Sequence, residues 1–134
     1  MFSAQLVWKK GIWAFFTLAL LALLPCAAFS QGYTRVSAEK AKQVIASTPD
    51  VIVLDVRTEE EFLKGHLTNA VRIPYNELEQ RARAELPDQN ATIVIYCKSG
   101  RRSLIAADIL DKLGYAKLYE FDGIDNWPYE VTKK

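Results

Sequence analysis

Residues 51–56 read Val51-Ile52-Val53-Leu54-Asp55-Val56, a nearly continuous run of β-branched and apolar residues. A second run of this kind follows at residues 91–96, and we predict a third strand at residues 117–121. Such runs are typical of strands that are covered on both faces, as in a parallel sheet. Helical patterns separate the strands, so we predict an α/β domain with a mostly parallel central sheet and helices on both faces.

Start and stop signals predict the helices. Ser37 can cap a helix over residues 38–46. Thr58 and Glu61 form a capping-box pattern at the start of a short helix that ends near Gly65. The remaining predicted elements are a short strand and two helices, at residues 70–73, 76–84 and 103–113.

The first 30 residues differ in composition from the rest of the chain. They contain two charged residues, Lys9 and Lys10, followed by an uncharged apolar run and then by Pro25 and small side chains. This order is typical of a secretory signal, and we predict cleavage after Ser30. Cleavage after Ala28 is the alternative, and an uncleaved membrane anchor is a second one.

Charge and metal-ligand content exclude several classes of protein. Because Lys9 and Lys10 are the only charges in the first 30 residues, the rest of the chain carries 15 of the 17 basic and all 16 acidic side chains. A nearly neutral domain without a basic block is a poor candidate for binding nucleic acid. The chain has two Cys and one His, too few for a zinc site built from three or four such ligands. We therefore predict no metal site.

Cys97 follows the second strand and is the candidate nucleophile. A thiol reacts as its thiolate, which nearby cations and helix N-termini favour. Three cations follow Cys97 within five positions, and Gly100 allows the loop to curl so that its N–H groups point inward. The predicted result is a small cup for an anion, with donor-binding residues Lys98, Ser99, Gly100, Arg101 and Arg102. The alternative is a buried cysteine that acts only as a small apolar residue.

Further candidates lie near the end of the first predicted strand. Asp55 and Arg57 either face the Cys97 loop as supporting residues or pair with each other to hold the turn. His66 is either a general base or a structural residue at a helix exit. The acidic run at residues 59–61 is interpreted as a solvated helix start that is favourable to the helix dipole.

Several short motifs follow one another along residues 51–127. They are Asp55-Val56-Arg57, Glu61-Phe62, Gly65-His66-Leu67, Ile73-Pro74, Tyr96-Cys97-Lys98-Ser99-Gly100-Arg101-Arg102-Ser103, Gly123 and Trp127. In this combination they closely resemble the single-domain rhodanese family. With the predicted export signal, the chain is most similar to the small periplasmic members of that family.

The resemblance implies a rhodanese-like domain at residues 31–134 with sulfurtransferase activity. In the family, the cysteine that matches Cys97 takes sulfane sulfur from a small anionic donor such as thiosulfate and becomes a persulfide. The persulfide passes its sulfur to a thiophilic acceptor, which is cyanide in the standard assay. No metal or organic cofactor is implied, because the bound sulfur is itself the covalent intermediate. We expect a monomer that is periplasmic or secreted and does not contact the membrane after signal cleavage.

Two departures and two alternatives accompany the resemblance. Asp122 stands where the family often has a glycine, and its carboxylate would weaken anion binding if it lies at the pocket rim. Asn69 replaces another usual glycine.

A phosphatase or arsenate reductase would need five residues between its cysteine and arginine, whereas four separate Cys97 from Arg102. A thiol redox sensor, or a sulfur-carrier or binding module without turnover, would have the same loop.

Overall fold

The structure is a computed structural model, which describes residues 32–133. Over these residues the chain alternates strands and helices, as the apolar runs predict. In chain order the elements are β1 (Tyr33–Val36), α1 (Ala38–Ser47), β2 (Ile52–Asp55), α2 (Glu59–Lys64), β3 (Val71–Arg72), α3 (Leu78–Glu85), β4 (Thr92–Tyr96), α4 (Arg101–Lys112), β5 (Lys117–Phe121) and a 3₁₀ turn (Ile124–Asn126).

The strands within residues 32–133 form one sheet in the order β1-β5-β4-β2-β3, and all neighbouring pairs are parallel. Asp55 at the end of β2 lies opposite Tyr96 at the end of β4. Cys97 follows Tyr96 directly, so Asp55 and Cys97 lie at the same edge of the sheet. Ligands bind at this edge in parallel α/β sheets.

Side chains of the central strands alternate between two cores. Leu54 and Ile95 belong to the core that includes residues of α3 and α4. Val53, Val94 and Tyr96 belong to the second core, which includes residues of α1. Because helices cover both faces of the sheet, every position along β2 and β4 is buried or half-buried. The predicted fold class is confirmed, and the coverage explains why these strands lack polar alternation.

The edge strand β1 was not predicted from the sequence. It pairs with β5, with Tyr33 opposite Leu118. The two central residues of β1, Thr34 and Arg35, are exposed. A short strand with a polar centre has no continuous apolar run, so the pattern that identified the inner strands was absent here.

Two helices do not begin at the residues that the sequence predicts. Helix α4 begins at Arg101 rather than at residue 103, because Gly100 occupies the N-cap position with a φ of +105° and no side-chain cap. The sequence therefore lacks a capping side chain at that boundary. Helix α3 begins at Leu78 rather than at residue 76, because a turn precedes it in which the Glu77 N–H donates to the Pro74 carbonyl.

Other local predictions are confirmed. Thr58 Oγ1 accepts a hydrogen bond from the Glu61 N–H, and the Glu61 carboxylate accepts one from the Thr58 N–H, which completes the capping box. Asn69, which replaces a usual family glycine, adopts the left-handed backbone that asparagine tolerates, with a φ of +62°.

The predicted signal segment, its cleavage sites after Ser30 or Ala28, and Cys26 lie outside the described residues. Within residues 32–133, no helix combines the length and apolar character needed to cross a bilayer.

Candidate active site

Cys97 lies at the floor of the loop that joins β4 to α4. Its side chain is 1% exposed and contacts the apolar core, as the alternative of a purely structural cysteine also requires. Its hydrogen bonds distinguish the two interpretations. The Gly100 N–H donates to Cys97 Sγ at 3.0 Å, and Ser103 Oγ lies 3.4 Å from the same sulfur. The loop therefore curls around Sγ as predicted.

A second segment holds this loop from behind. The Ile124 N–H donates to the Cys97 carbonyl at 2.9 Å, and the Asp125 N–H donates to the Lys98 carbonyl at 3.1 Å. Gly123 makes this close approach possible, because a Cβ at its position would lie 2.5 Å from both carbonyl oxygens. The glycine before the 3₁₀ turn thus fixes the shape of the loop.

The pKa of the Cys97 thiol lies below its ordinary value. Burial alone raises this pKa, because it disfavours the charged form. The Ser103 hydroxyl and the backbone N–H groups of Ser103, Gly100 and Ser99 stabilise the thiolate and outweigh burial. The loop therefore favours the form of the sulfur that acts as a nucleophile.

A buried carboxylate that was not predicted from the sequence lies behind Cys97. Glu120 is fully buried in β5, and Ser103 Oγ lies 2.6 Å from one of its carboxylate oxygens, so this hydroxyl directs its single hydrogen either to Glu120 or to the Cys97 thiolate. The other carboxylate oxygen of Glu120 accepts a hydrogen bond from Arg35 Nε at 3.0 Å, and Arg35 also pairs with Asp122 at 3.2 Å. Asp122 is therefore paired with a cation of β1. The sequence signal for the buried carboxylate was a glutamate, Glu120, inside a mostly apolar strand.

Carboxylates neutralise two of the predicted donor-binding cations. Lys98 Nζ pairs with Asp125 at 2.9 Å. Arg102 forms two hydrogen bonds of 2.8 Å to the two carboxylate oxygens of Glu61. Arg101 is exposed and forms no ion pair within residues 32–133. The loop thus presents fewer uncompensated positive charges than its sequence indicates.

The interpretation of Glu61 as a solvated helix residue was wrong. Its side chain is 27% exposed and lies against Arg102. The hydrogen bonds from the Arg102 guanidinium are the main reason that the pKa of Glu61 falls to about 2. Glu61 and Arg102 are 41 positions apart, so no local pattern could have paired them.

Asp55 and Arg57 pair with each other to hold the turn after β2. Arg57 donates to both carboxylate oxygens of Asp55, with a shortest distance of 2.7 Å, and also to the Gly65 carbonyl. The Tyr96 hydroxyl donates to Asp55 Oδ2 at 2.6 Å. These buried contacts join the ends of β2 and β4 and so position the start of the Cys97 loop. Asp55 and Arg57 could have faced the Cys97 loop or paired with each other, and the structure shows that they pair with each other.

His66 occupies the structural position at the helix exit. Its ring stacks on Phe62 with a centroid distance of 3.8 Å, and Nδ1 lies 2.8 Å from the Phe62 carbonyl oxygen. Its backbone exchanges hydrogen bonds with Thr132. These contacts account for its burial without a catalytic role.

An open cavity of about 490 Å³ lies beside the loop. Charged and apolar side chains both contribute to its lining, which consists of Arg57, Glu61, Lys64, Gly65, Lys98, Ile124, Asp125, Trp127, Tyr129 and Val131. Within residues 32–133, no group of three or more His, Cys, Asp or Glu side chains is placed to hold a metal ion. What the site offers chemically is a thiol biased toward thiolate, in a cup of backbone N–H groups next to this cavity.

The family model for the rhodanese-like domain matches residues 37–127. The chain belongs to the rhodanese family. It is 35% identical over 71 residues to the thiosulfate sulfurtransferase PspE of Escherichia coli (strain K12), a match that covers 53% of this chain and 68% of that protein. It is 33% identical over 88 residues to a sulfurtransferase of Allochromatium vinosum, covering 66% of this chain and 80% of the other.

The structure is also similar to a solved rhodanese of E. coli with bound anions. The TM-score is 0.59 at 31% identity, and the match covers 63% of this chain and 99% of the other. The resemblance to rhodaneses in the sequence and the predicted rhodanese-like fold are thereby confirmed.

Proposed function

We propose that this protein is a sulfurtransferase that carries sulfane sulfur on Cys97, from an anionic donor such as thiosulfate to a thiophilic acceptor. The observation that carries the proposal is the hydrogen bonding of Cys97 Sγ to the loop, with the Gly100 N–H at 3.0 Å. Similarity to a thiosulfate sulfurtransferase and to a second sulfurtransferase supports it.

The first step transfers sulfur to the enzyme. The Cys97 thiolate attacks the outer sulfur of thiosulfate, the sulfur–sulfur bond of thiosulfate breaks, and sulfite leaves with the bonding electron pair. Cys97 becomes a persulfide anion, and charge is conserved. The N–H groups of Ser99 and Gly100 at the curled loop would stabilise the negative charge that moves into the cup.

The second step returns the enzyme to its starting state. A thiophilic acceptor such as cyanide attacks the terminal sulfur of the persulfide. The sulfur–sulfur bond breaks, thiocyanate leaves, and the Cys97 thiolate is regenerated. This route is a covalent relay through one side chain, for which ping-pong kinetics are expected.

Charge at the mouth of the loop would attract the donor. Arg101 is exposed and available to an incoming anion, while Lys98 and Arg102 act from within their ion pairs. The backbone of Ser99 and Gly100 would contact the transferred sulfur, and Asp55 and Arg57 would support the strand ends from which the loop begins.

Replacement of Cys97 by Ser tests the proposal. Serine is only slightly smaller than cysteine but lacks the sulfur, so thiosulfate:cyanide sulfur transfer should be lost while the fold persists, as measured by circular dichroism. Unchanged transfer in Cys97→Ser would refute the mechanism. Irreversible oxidation of the wild-type thiol by peroxide, without any sulfur transfer, would instead favour a redox sensor.

We also propose that the domain acts in the periplasm or outside the cell, after removal of residues 1–30. The supporting observation is the order of charged, apolar and small residues in that segment. Fractionation of cells that express the full chain tests this proposal. Recovery of the chain in the cytoplasm at its full mass would contradict it.

A further inference from the structure

We infer that Glu61 determines which sulfur donors the site accepts, because it occupies Arg102 and so disfavours donors with two negative charges. This inference rests on the proposed sulfurtransferase function. It assigns to Glu61 the role of a specificity-determining residue.

The ion pair between Glu61 and Arg102 has the geometry that an anionic donor would need. Both carboxylate oxygens of Glu61 accept hydrogen bonds from Arg102, each at 2.8 Å. The two side chains are only 27% and 19% exposed. A bidentate arginine–carboxylate pair satisfies the same donors that an anionic substrate would use. A donor must therefore displace Glu61 or bind Arg102 through the N–H groups that do not face the carboxylate, beside its negative charge.

Thr58 anchors Glu61 from its other side. The Thr58 N–H and hydroxyl donate to Glu61 Oε2 at 3.0 and 2.9 Å, and this capping box begins α2. Movement of the carboxylate away from Arg102 would break the cap as well as the ion pair. Glu61 is therefore held at the lining of the cavity rather than free to withdraw.

The charge and the size of the cavity also disfavour a small dianion. Lys98 is paired with Asp125, and both also line the cavity. The cavity of about 490 Å³ is far larger than thiosulfate or cyanide, and Ile124, Trp127 and Val131 contribute apolar surface to it. Sites of this volume hold organic molecules. An organic sulfur donor with a single negative charge therefore suits the cavity, which reaches the Cys97 loop at Lys98, better than a small dianion.

The expected discrimination follows from Coulomb's law. The repulsion between the Glu61 carboxylate and a donor is twice as large for a dianion as for a monoanion at the same position. Thiosulfate is a dianion, and benzenethiosulfonate is a monoanion that carries the same transferable sulfur. With benzenethiosulfonate, the Cys97 thiolate attacks the terminal sulfur, the sulfur–sulfur bond breaks, and benzenesulfinate leaves. Both donors thus form the same persulfide.

The test is Glu61→Gln with both donors. Glutamine is also accepted at this position of a capping box, so the fold should persist while one negative charge is removed. We expect the KM for thiosulfate to fall on the order of tenfold and that for benzenethiosulfonate about threefold, the square root of the first factor, with kcat retained. The matched control is Glu85→Gln, which neutralises a bidentate pair with Arg81 outside the cavity lining and should change neither KM.

An unchanged or higher thiosulfate KM in Glu61→Gln, or an equal fall for both donors, would overturn the inference. A second readout does not depend on turnover. Sulfate, an unreactive dianion, should slow alkylation of Cys97 by iodoacetamide, and the concentration required should be on the order of tenfold lower in Glu61→Gln. If the wild type transfers sulfur from neither donor, the proposed function fails, and the sulfate protection still decides the role of Glu61.

Discussion

Asp55→Asn should strongly destabilise the domain. Asp55 is fully buried, and its carboxylate accepts hydrogen bonds from the Arg57 backbone and guanidinium and from the Tyr96 hydroxyl. Asparagine has nearly the same size but no charge, so the Arg57 guanidinium, at 5% exposure, would lose its counterion. Removal of one partner from a buried ion pair costs about 3–5 kcal/mol. Domains of this size are stable by only about 5–15 kcal/mol.

Urea unfolding followed by circular dichroism measures this loss. We expect the free energy of unfolding to fall by about 3 kcal/mol or more, because Arg57 keeps its hydrogen bond to the Gly65 carbonyl but not its charge partner. The expected fall in Tm is at least about 12 °C, at roughly 4 °C per kcal/mol for a domain near 100 residues.

Asp108→Asn is the matched control, because the chemical change is identical. Asp108 is 54% exposed and pairs with Lys112 one helical turn away at 3.0 Å. Such pairs contribute about 0.3–0.5 kcal/mol. Similar losses in the two variants would refute the assignment of Asp55 and Arg57 as the buried support of the strand ends.

Three further predictions concern the loop and its ion pair. Ser103→Ala should raise the pKa of Cys97, because the hydroxyl that stabilises the thiolate is lost; the pH midpoint of alkylation by iodoacetamide should move upward, and an unmoved midpoint would contradict this role. Gly123→Ala should abolish sulfur transfer, because a Cβ would lie 2.5 Å from the Cys97 and Lys98 carbonyl oxygens; full activity in the standard assay would show that the loop does not need this approach. The stability that Glu61 provides should be fully present above pH 4.5, its ordinary pKa, and be lost as the pH falls through about 2. Urea unfolding should therefore separate wild type from Glu61→Gln at pH 6 but not near pH 2, and a constant difference would exclude the ion pair as its source.

Much of the fold could be predicted because its central strands are covered on both faces. The runs at residues 51–56 and 91–96 are apolar throughout, and this pattern indicates a parallel sheet without any knowledge of partners. Strand β1 lacks such a run because its centre is exposed at the sheet edge. The start of α4 was misplaced because Gly100 occupies the N-cap position with a left-handed backbone, so no capping side chain marks this boundary in the sequence.

In the candidate active site, too, the local features could be predicted from the sequence and the long-range contacts could not. The Cys97 loop is a continuous segment, so its curl and its N–H groups could be predicted from neighbouring residues. The ion pairs could not, because they join residues distant in sequence. Arg102 and Glu61 are 41 positions apart, and Arg35 and Glu120 are 85 apart. Tertiary packing, which no local pattern encodes, thus determines how much of the charge of the loop remains available to a donor.

The central claim is that Cys97 carries the transferred sulfur, and the intact mass of the protein tests it directly. After incubation with thiosulfate, the mass should increase by one sulfur atom, and cyanide should reverse the increase. Cys97→Ser should show no increase under the same conditions. A wild-type protein that is folded and reduced, yet gains no sulfur from thiosulfate or benzenethiosulfonate, would contradict the account.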